Sequence, residues 1–299
     1  MDNKKLNLRK SDLDGTKTIH HIIHISDIHI GSGTRSIEYR KIFDKINGAI
    51  REYNPKDRLL VCISGDIFHY KVKYSGEDVD DFNYLMKCLE EVTVIIIPGN
   101  HDTNLNNKEN IDLITPLITK LKNICYWKDS GKYKLFGLEF LHISVYDTST
   151  TEEILKLVKD NPLSIVLYHG MVVGAKTGEI MITGVKITKE IIDSAYMMIL
   201  GDIHEHQFIT PHAGYAGSLI QQNVGESMEK GFILWNMETR SGKFMKVENE
   251  NIYIKLDFRG KTREEYEKII GNVATCGRAT KMPQKILKLF HPVKNWVRS

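Results

Sequence analysis

The chain has no pair of cysteines at C-x-x-C spacing: its four stand at positions 62, 88, 125 and 276. That argues against a zinc–thiolate site. Cys62 lies inside an apolar run, where a buried reduced thiol is expected, and a reducing compartment fits. Long apolar runs are also missing; none approaches the roughly 20 residues that span a bilayer. The first eighteen residues, MDNKKLNLRKSDLDGTKT, have no apolar signal-peptide core. The expectation is an intracellular protein, cytoplasmic or in the nucleoid or nucleus, not secreted and without membrane association. Charge of one sign is lacking too. Lys and Arg total 41 against 38 Asp and Glu, a net +3, which permits a polyanionic partner without demanding one. Internal repeats and low-complexity linkers are absent.

What is present suits a globular protein. Hydrophobic residues make up 41% and charged residues 26% of 299, enough for one large α/β domain with a small appendage. Apolar runs rich in Val, Ile and Leu predict strands at 20–26, 58–64, 92–98, 138–144, 163–169 and 195–201, buried on both faces. Amphipathic stretches between them predict helices near 36–53, 79–90, 108–123, 151–160 and 187–194. This alternation reads as a layered α/β fold. Shorter strand-like pieces near 207–210, 213–216, 231–236 and 243–248 suggest a second sheet beside the first. The expected division is a polar extension over 1–18, a main domain over 19–248 and a short α+β element with a basic amphipathic tail over 249–299.

The twelve histidines carry the chemical signal. Several sit where a strand meets a loop. HISDIHIGSG supplies Asp27 and His29, CISGDIFHYK supplies Asp66 and His69, and IIIPGNHDTN supplies Asn100, His101 and Asp102. IVLYHGMV supplies His169, and ILGDIHEHQ supplies Asp202, His204 and His206. In open α/β sheets the carboxyl ends of neighbouring strands converge on one crevice. Carboxylates crowded there repel and are costly to desolvate. A pair of divalent cations resolves the conflict. Imidazole mixed with carboxylate and amide oxygen, without sulfur, suits manganese, iron or zinc. Two such ions roughly 4 Å apart require a bridging carboxylate. Pro98 and Gly99 turn the chain sharply, so Asn100 and His101 are held rigidly over the crevice. His20, His21, His24 and His142 read as hydrogen-bonded core histidines.

The order D-x-H, GD, GNHD, H, G-D-x-H resembles the calcineurin-like metallophosphoesterase superfamily over roughly residues 20 to 236. The resemblance implies a four-layer α/β/β/α sandwich with a small C-terminal α+β cap. GDIFH is similar to an element of the SbcD-type double-strand-break repair nucleases, and the stretch 215–237 resembles that family's G-S segment followed by E-x-x-x-K-G and a closing strand. By this resemblance Asp27, His29 and His204 bind one metal, Asp66 bridges, and Asn100, His169 and Asp202 bind the other. His101 faces the scissile phosphate, Asp102 orients its ring, and His69 positions the DNA backbone. The family's last motif is usually G-H-x-H. Here Asp202 replaces the first His as an oxygen ligand, with His206 as the alternative.

The implied activity is metal-dependent hydrolysis of phosphodiester bonds in DNA, exonucleolytic or endonucleolytic, with a pair of divalent ions, Mn²⁺ first and Fe²⁺ or Zn²⁺ next. Implied partners are DNA, an SMC-like (SbcC-type) ATPase and a second copy of the chain. DNA is held mainly through its phosphates, for which Arg35, Lys71 and Lys73 are candidates. Two other readings stand beside this one: a phosphodiesterase of nucleotides or small phosphoesters, and a non-catalytic scaffold of the same fold. The Ser/Thr protein phosphatase pattern G-D-x-V-D-R-G does not occur where GDIFHYK stands.

Overall fold

The computed structural model describes residues 18–31, 35–54, 58–71, 73–107, 109, 111–178 and 180–253. The expected appendage over 249–299 with its basic tail, and the expected extension over 1–18, lie almost wholly outside these residues. The elements run in chain order as β1 (His21–Ile25), α1 (Ser36–Tyr53), β2 (Leu59–Ile63), α2 (Gly76–Cys88), β3 (Thr93–Ile96), α3 (Thr115–Ile118), β4 (Ile124–Tyr126), β5 (Gly131–Leu135), β6 (Leu138–Ile143), α4 (Thr151–Lys159), β7 (Ile165–His169), β8 (Lys176–Thr177), β9 (Ile180–Met181), α5 (Lys189–Ser194), β10 (Met197–Gly201), β11 (Gln207–Thr210), β12 (Ala213–Tyr215), β13 (Gly231–Asn236) and β14 (Ser241–Lys246).

Two six-stranded sheets form the centre. One has the order β14-β13-β1-β2-β3-β4, the other β11-β12-β10-β7-β6-β5. In the first, β1, β2, β3 and β4 are parallel. In the second, β6, β7, β10 and β12 are parallel. Period-two alternation divides each strand between two apolar layers. Leu59, Val61 and Ile63 face α1 and α2, together with Phe43, Ile46 and Phe82. Leu60 and Cys62 face the second sheet and share a layer with Phe140, Leu167, Ile199 and Trp235. On the far side of the second sheet, Val166, Met198 and Leu200 pack on Ile154 and Val158 of α4 and on Ile191 of α5. The order is therefore helix, sheet, sheet, helix, as a layered sandwich requires.

The six early strands form where the apolar runs lie, and α1 has the expected bounds. Two expectations fail. The late strands do not build a sheet of their own. β11 and β12 extend the second sheet, whereas β13 returns antiparallel beside β1 and brings β14 with it. The helix expected over 108–123 is reduced to the single turn α3. The Asp112 carboxylate accepts Ile114 N, Thr115 N and Thr115 Oγ1 at 3.0, 2.7 and 2.9 Å, which fastens the chain just ahead of α3. Pro116 then occupies the first turn, the place where it costs no hydrogen bond.

A candidate dinuclear metal centre

Five parallel strands deliver the flagged residues to one edge of the sandwich. β1, β2 and β3 end before Asp27, Asp66 and Asn100; β7 ends on His169 and β10 before Asp202. The loops after β1 and β2 stay paired beyond the strands: His29 N reaches Asp66 O at 3.0 Å, Ile30 N reaches Ile67 O at 2.8 Å, and His69 N reaches Ile30 O at 2.9 Å. Ser64 ties the sheets together. Its carbonyl oxygen accepts His169 Nδ1 at 2.7 Å, and its hydroxyl donates to Leu200 O at 3.3 Å.

The backbone is bent into unusual shapes to do this. Asp27, His29, Asp66 and Asp202 all have left-handed φ, at 50°, 54°, 53° and 97°. Such a conformation costs a non-glycine residue about 1–3 kcal/mol and clusters at functional sites. Each of these residues thereby turns its side chain back over the strand ends. Glycines make the room. A Cβ on Gly99 would collide with the Asp66 carboxylate, and one on Gly201 with Ser64 O. Gly65, at φ 99°, has no space for a Cβ beside His169 and Gly99.

The polar atoms meet as a cluster. Asp66 Oδ1 lies 3.5 Å from His169 Nε2, and Asp66 Oδ2 lies 3.6 Å from His29 Nε2. His204 Nε2 lies 3.0 Å from His29 Nε2 and 4.0 Å from Asp27 Oδ1. His169 Nε2 lies 3.9 Å from Asp202 Oδ1, and Asp202 N donates to Asp27 Oδ1 at 3.2 Å. Two groups have the spacing to hold an ion, Asp27–His29–His204 and Asp27–Asp66–His169. Asp27 is common to both groups, and Asp66 of the second also reaches His29, so its carboxylate has contacts on both sides of the cluster. A third group, His29–His69–His101, lies at the mouth.

Proton placement follows from the neighbours. A carbonyl or carboxylate oxygen only accepts, so His169 Nδ1, facing Ser64 O, and His204 Nδ1, 2.8 Å from Glu226 Oε1, both carry hydrogen. Each ring thus turns Nε2 into the cluster, the atom that becomes a metal donor once its proton is released. Buried His29 Nδ1, His69 Nδ1, Asn100 Oδ1 and His169 Nε2 have no hydrogen-bond partner. Polar atoms left without a partner beside crowded carboxylates are costly to bury. Burial raises the Asp27 carboxyl to about 6 and lowers the His29 imidazole to about 3. Burial also works against protonated His169, but Asp66, Asp27 and Asp202 outweigh it and lift the ring to about 10. The metal-free cluster thus retains a proton where positive charge is wanted. The donor set fits a pair of divalent cations.

Four expectations need correction. Asp102 does not orient His101. Its oxygens accept Phe68 N at 3.0 Å and Gly99 N at 2.9 Å, so it fastens the GNHD turn to the GDIFH loop. The His101 ring is held by the main chain, with Nδ1 2.5 Å from His69 O. His206 stands outside the cluster: its ring stacks on Phe244 at 3.8 Å, and Nδ1 bonds Tyr215 O at 3.0 Å. Arg35 is consumed internally, by Glu38, by Gln221 O and by the Tyr253 ring. Lys71 and Lys73 are exposed, and Lys73 Nζ lies 5.4 Å from the centre of the Tyr70 ring. Among the core histidines, His24 and His142 are buried, whereas His20 is exposed. Glu226, the first residue of the E-x-x-x-K-G pattern, joins the site through His204 Nδ1 and is absent from the expected residues.

The calcineurin-like phosphoesterase family model matches residues 20–178, and the chain belongs to that family. That family is one of metallophosphoesterase-type phosphoester hydrolases, and it typically binds two divalent metals. An uncharacterised protein of Acanthamoeba polyphaga mimivirus is 34% identical over 256 residues, which are 80% of this chain and 19% of that protein. The chain therefore spans about a fifth of the curated relative it matches. A solved crystal structure overlays with a TM-score of 0.46 at 15% identity, over 76% of this chain and 98% of its own, a likeness too weak to carry an argument. Among the described residues, no helix is long and apolar enough to cross a membrane.

Proposed function

We propose that the chain is a metal-dependent DNA nuclease of the SbcD type, hydrolysing phosphodiester bonds during DNA end processing and repair. The observation that carries this reading is the three-imidazole mouth of the site. The rings of His69 and His101 stand 5.5 and 4.9 Å from that of His29, centre to centre, and 5.9 Å from each other. In this reading Asp27, His29 and His204 hold one ion, Asn100, His169 and Asp202 the other, and Asp66 is shared. Manganese is the preferred ion, with iron or zinc next. The cations supply Lewis-acid charge and lower the pKa of water.

The protein's own groups do the remaining work. His101 has Nδ1–H fixed on His69 O, so Nε2 is the atom that faces substrate. Protonated there, it donates a hydrogen bond to a phosphoryl oxygen and passes its proton to the leaving 3′ oxygen. His69 orients the phosphodiester backbone from the adjacent loop. Lys71 and Lys73 lie exposed on the same loop and take further phosphates. The GDIFH element and the G-S…E-x-x-x-K-G segment support the SbcD-type assignment over other phosphoesterases. The test is incubation of the protein with labelled duplex DNA and Mn²⁺, beside bis-p-nitrophenyl phosphate. DNA cleavage that requires Mn²⁺ is expected. Turnover of the small ester with DNA untouched would defeat the nuclease reading and leave the small-substrate phosphodiesterase.

A further inference from the structure

The segment from Gly217 to Gly231 wraps the back of the Gly201–His206 loop. Gly217, at φ 75°, comes so close that a Cβ would lie 2.8 Å from both His204 O and His206 N. Lys230 is almost fully buried, yet its ammonium group is satisfied. Nζ donates to His204 O at 2.9 Å, to Ser218 Oγ at 2.9 Å and to Glu226 Oε2 at 2.8 Å. Glu226 is buried beside it and accepts more: Gln222 N at 2.9 Å on Oε2, and Asn223 Nδ2 and His204 Nδ1, both at 2.8 Å, on Oε1. His204 is therefore gripped twice, at its ring by Glu226 and at its carbonyl by Lys230. Burying an ion pair is expensive, and a hydrophobic pair of similar size often serves stability as well or better. Its retention here calls for a use other than stability.

We propose that Glu226, clamped by Lys230, is a positioning residue that locks the His204 ring with Nε2 toward Asp27 and His29, and so sets how tightly the cation on that side is held. The inference rests on the metal-centre reading of the site. A carboxylate behind an imidazole fixes the ring and strengthens it as a donor, and its loss typically costs about 10- to 100-fold in metal affinity. The cation shared by Asn100, His169 and Asp202 has no such dependence, because His169 is held by the Ser64 carbonyl instead.

Titration of the full chain with Mn²⁺, read by the electron paramagnetic resonance signal of the free ion, separates the cases. Wild type takes up a pair of ions. Glu226→Gln weakens one of them about 10- to 100-fold and leaves the other unchanged. The Gln substitution also strands the Lys230 charge, so it lowers the melting temperature. The double variant Glu226→Gln/Lys230→Met removes that charge and recovers the melting temperature without recovering the affinity. Two results overturn the inference: wild-type affinity for both ions in either variant, or affinity that recovers together with the melting temperature. Wild type that binds no Mn²⁺ would instead overturn the metal-centre reading itself.

Discussion

His204 and His101 flank the same ring, His29, at 4.8 and 4.9 Å between centres, but they are held in opposite ways. His204 is backed by a carboxylate that is itself clamped by a buried ammonium group. Burial alone would push its imidazole down, yet Glu226 and Asp27 raise it above the usual histidine range. His101 is backed only by a neutral carbonyl oxygen. A charged partner suits a ligand, which must stay put and keep its lone pair aimed inward. A neutral partner suits a group that gains and loses a proton within each turnover. On the proposed reading the two sides of the cluster do different work, one holding a cation and one moving a proton.

The contrast can be broken most severely at its centre. Asp66→Asn removes the carboxylate that reaches both His29 and His169, and it should abolish Mn²⁺ binding and hydrolysis together; equilibrium dialysis beside a DNA cleavage assay checks both. His101→Asn should separate them. Metal content stays at the wild-type level while turnover falls on the order of 10²–10⁴-fold. Equal loss of metal and activity in this variant would erase the distinction between the sides.

Acidity gives a gentler test. His169 in the metal-free protein titrates at about 10, raised by its three carboxylate neighbours against the opposing effect of burial. A cation must displace that proton, so binding releases protons into a weakly buffered solution and affinity falls as pH is lowered, by roughly tenfold per pH unit for one proton. The same shift fixes a sign for the chelated protein. A pKa raised above 6.5 adds stability that is complete below 6.5 and is lost as pH rises through about 10. Thermal melting of chelator-treated protein across that window reads this contribution directly. The smallest expected effect is at the rim. Lys73→Ala should weaken DNA binding evenly across sequences and reduce the salt-dependence slope by about one.

The legible parts of the molecule were those whose cause is local. Runs such as Leu59–Ile63 announce strands because they are apolar on both faces, and Asp27, Asp66, Asn100, His169 and Asp202 announce themselves because each follows such a run. The chain order of these motifs, with their resemblance to a known family, pointed to the cluster before any contact was visible. What stayed hidden depends on distant chain. β13 lies beside β1 through a return of about two hundred residues, which no periodicity records. β4 and β5 are too short or too polar to stand out. The left-handed φ values at four of the site residues suit Asp and His better than most residues, but residue type alone does not announce them. Asp102 was assigned to the wrong partner for a related reason. A carboxylate one position from a histidine suggests a pair, yet the turn points it at backbone amides instead.

On the proposed reading a pair of divalent ions would sit around Asp66. Anomalous diffraction from crystals soaked in Mn²⁺ tests it most directly. Paired peaks are expected with the Asp66 carboxylate between them, His29 and His204 on one side and Asn100 and His169 on the other. Crystals that take up Mn²⁺ elsewhere while leaving Asp66 without a peak would contradict it.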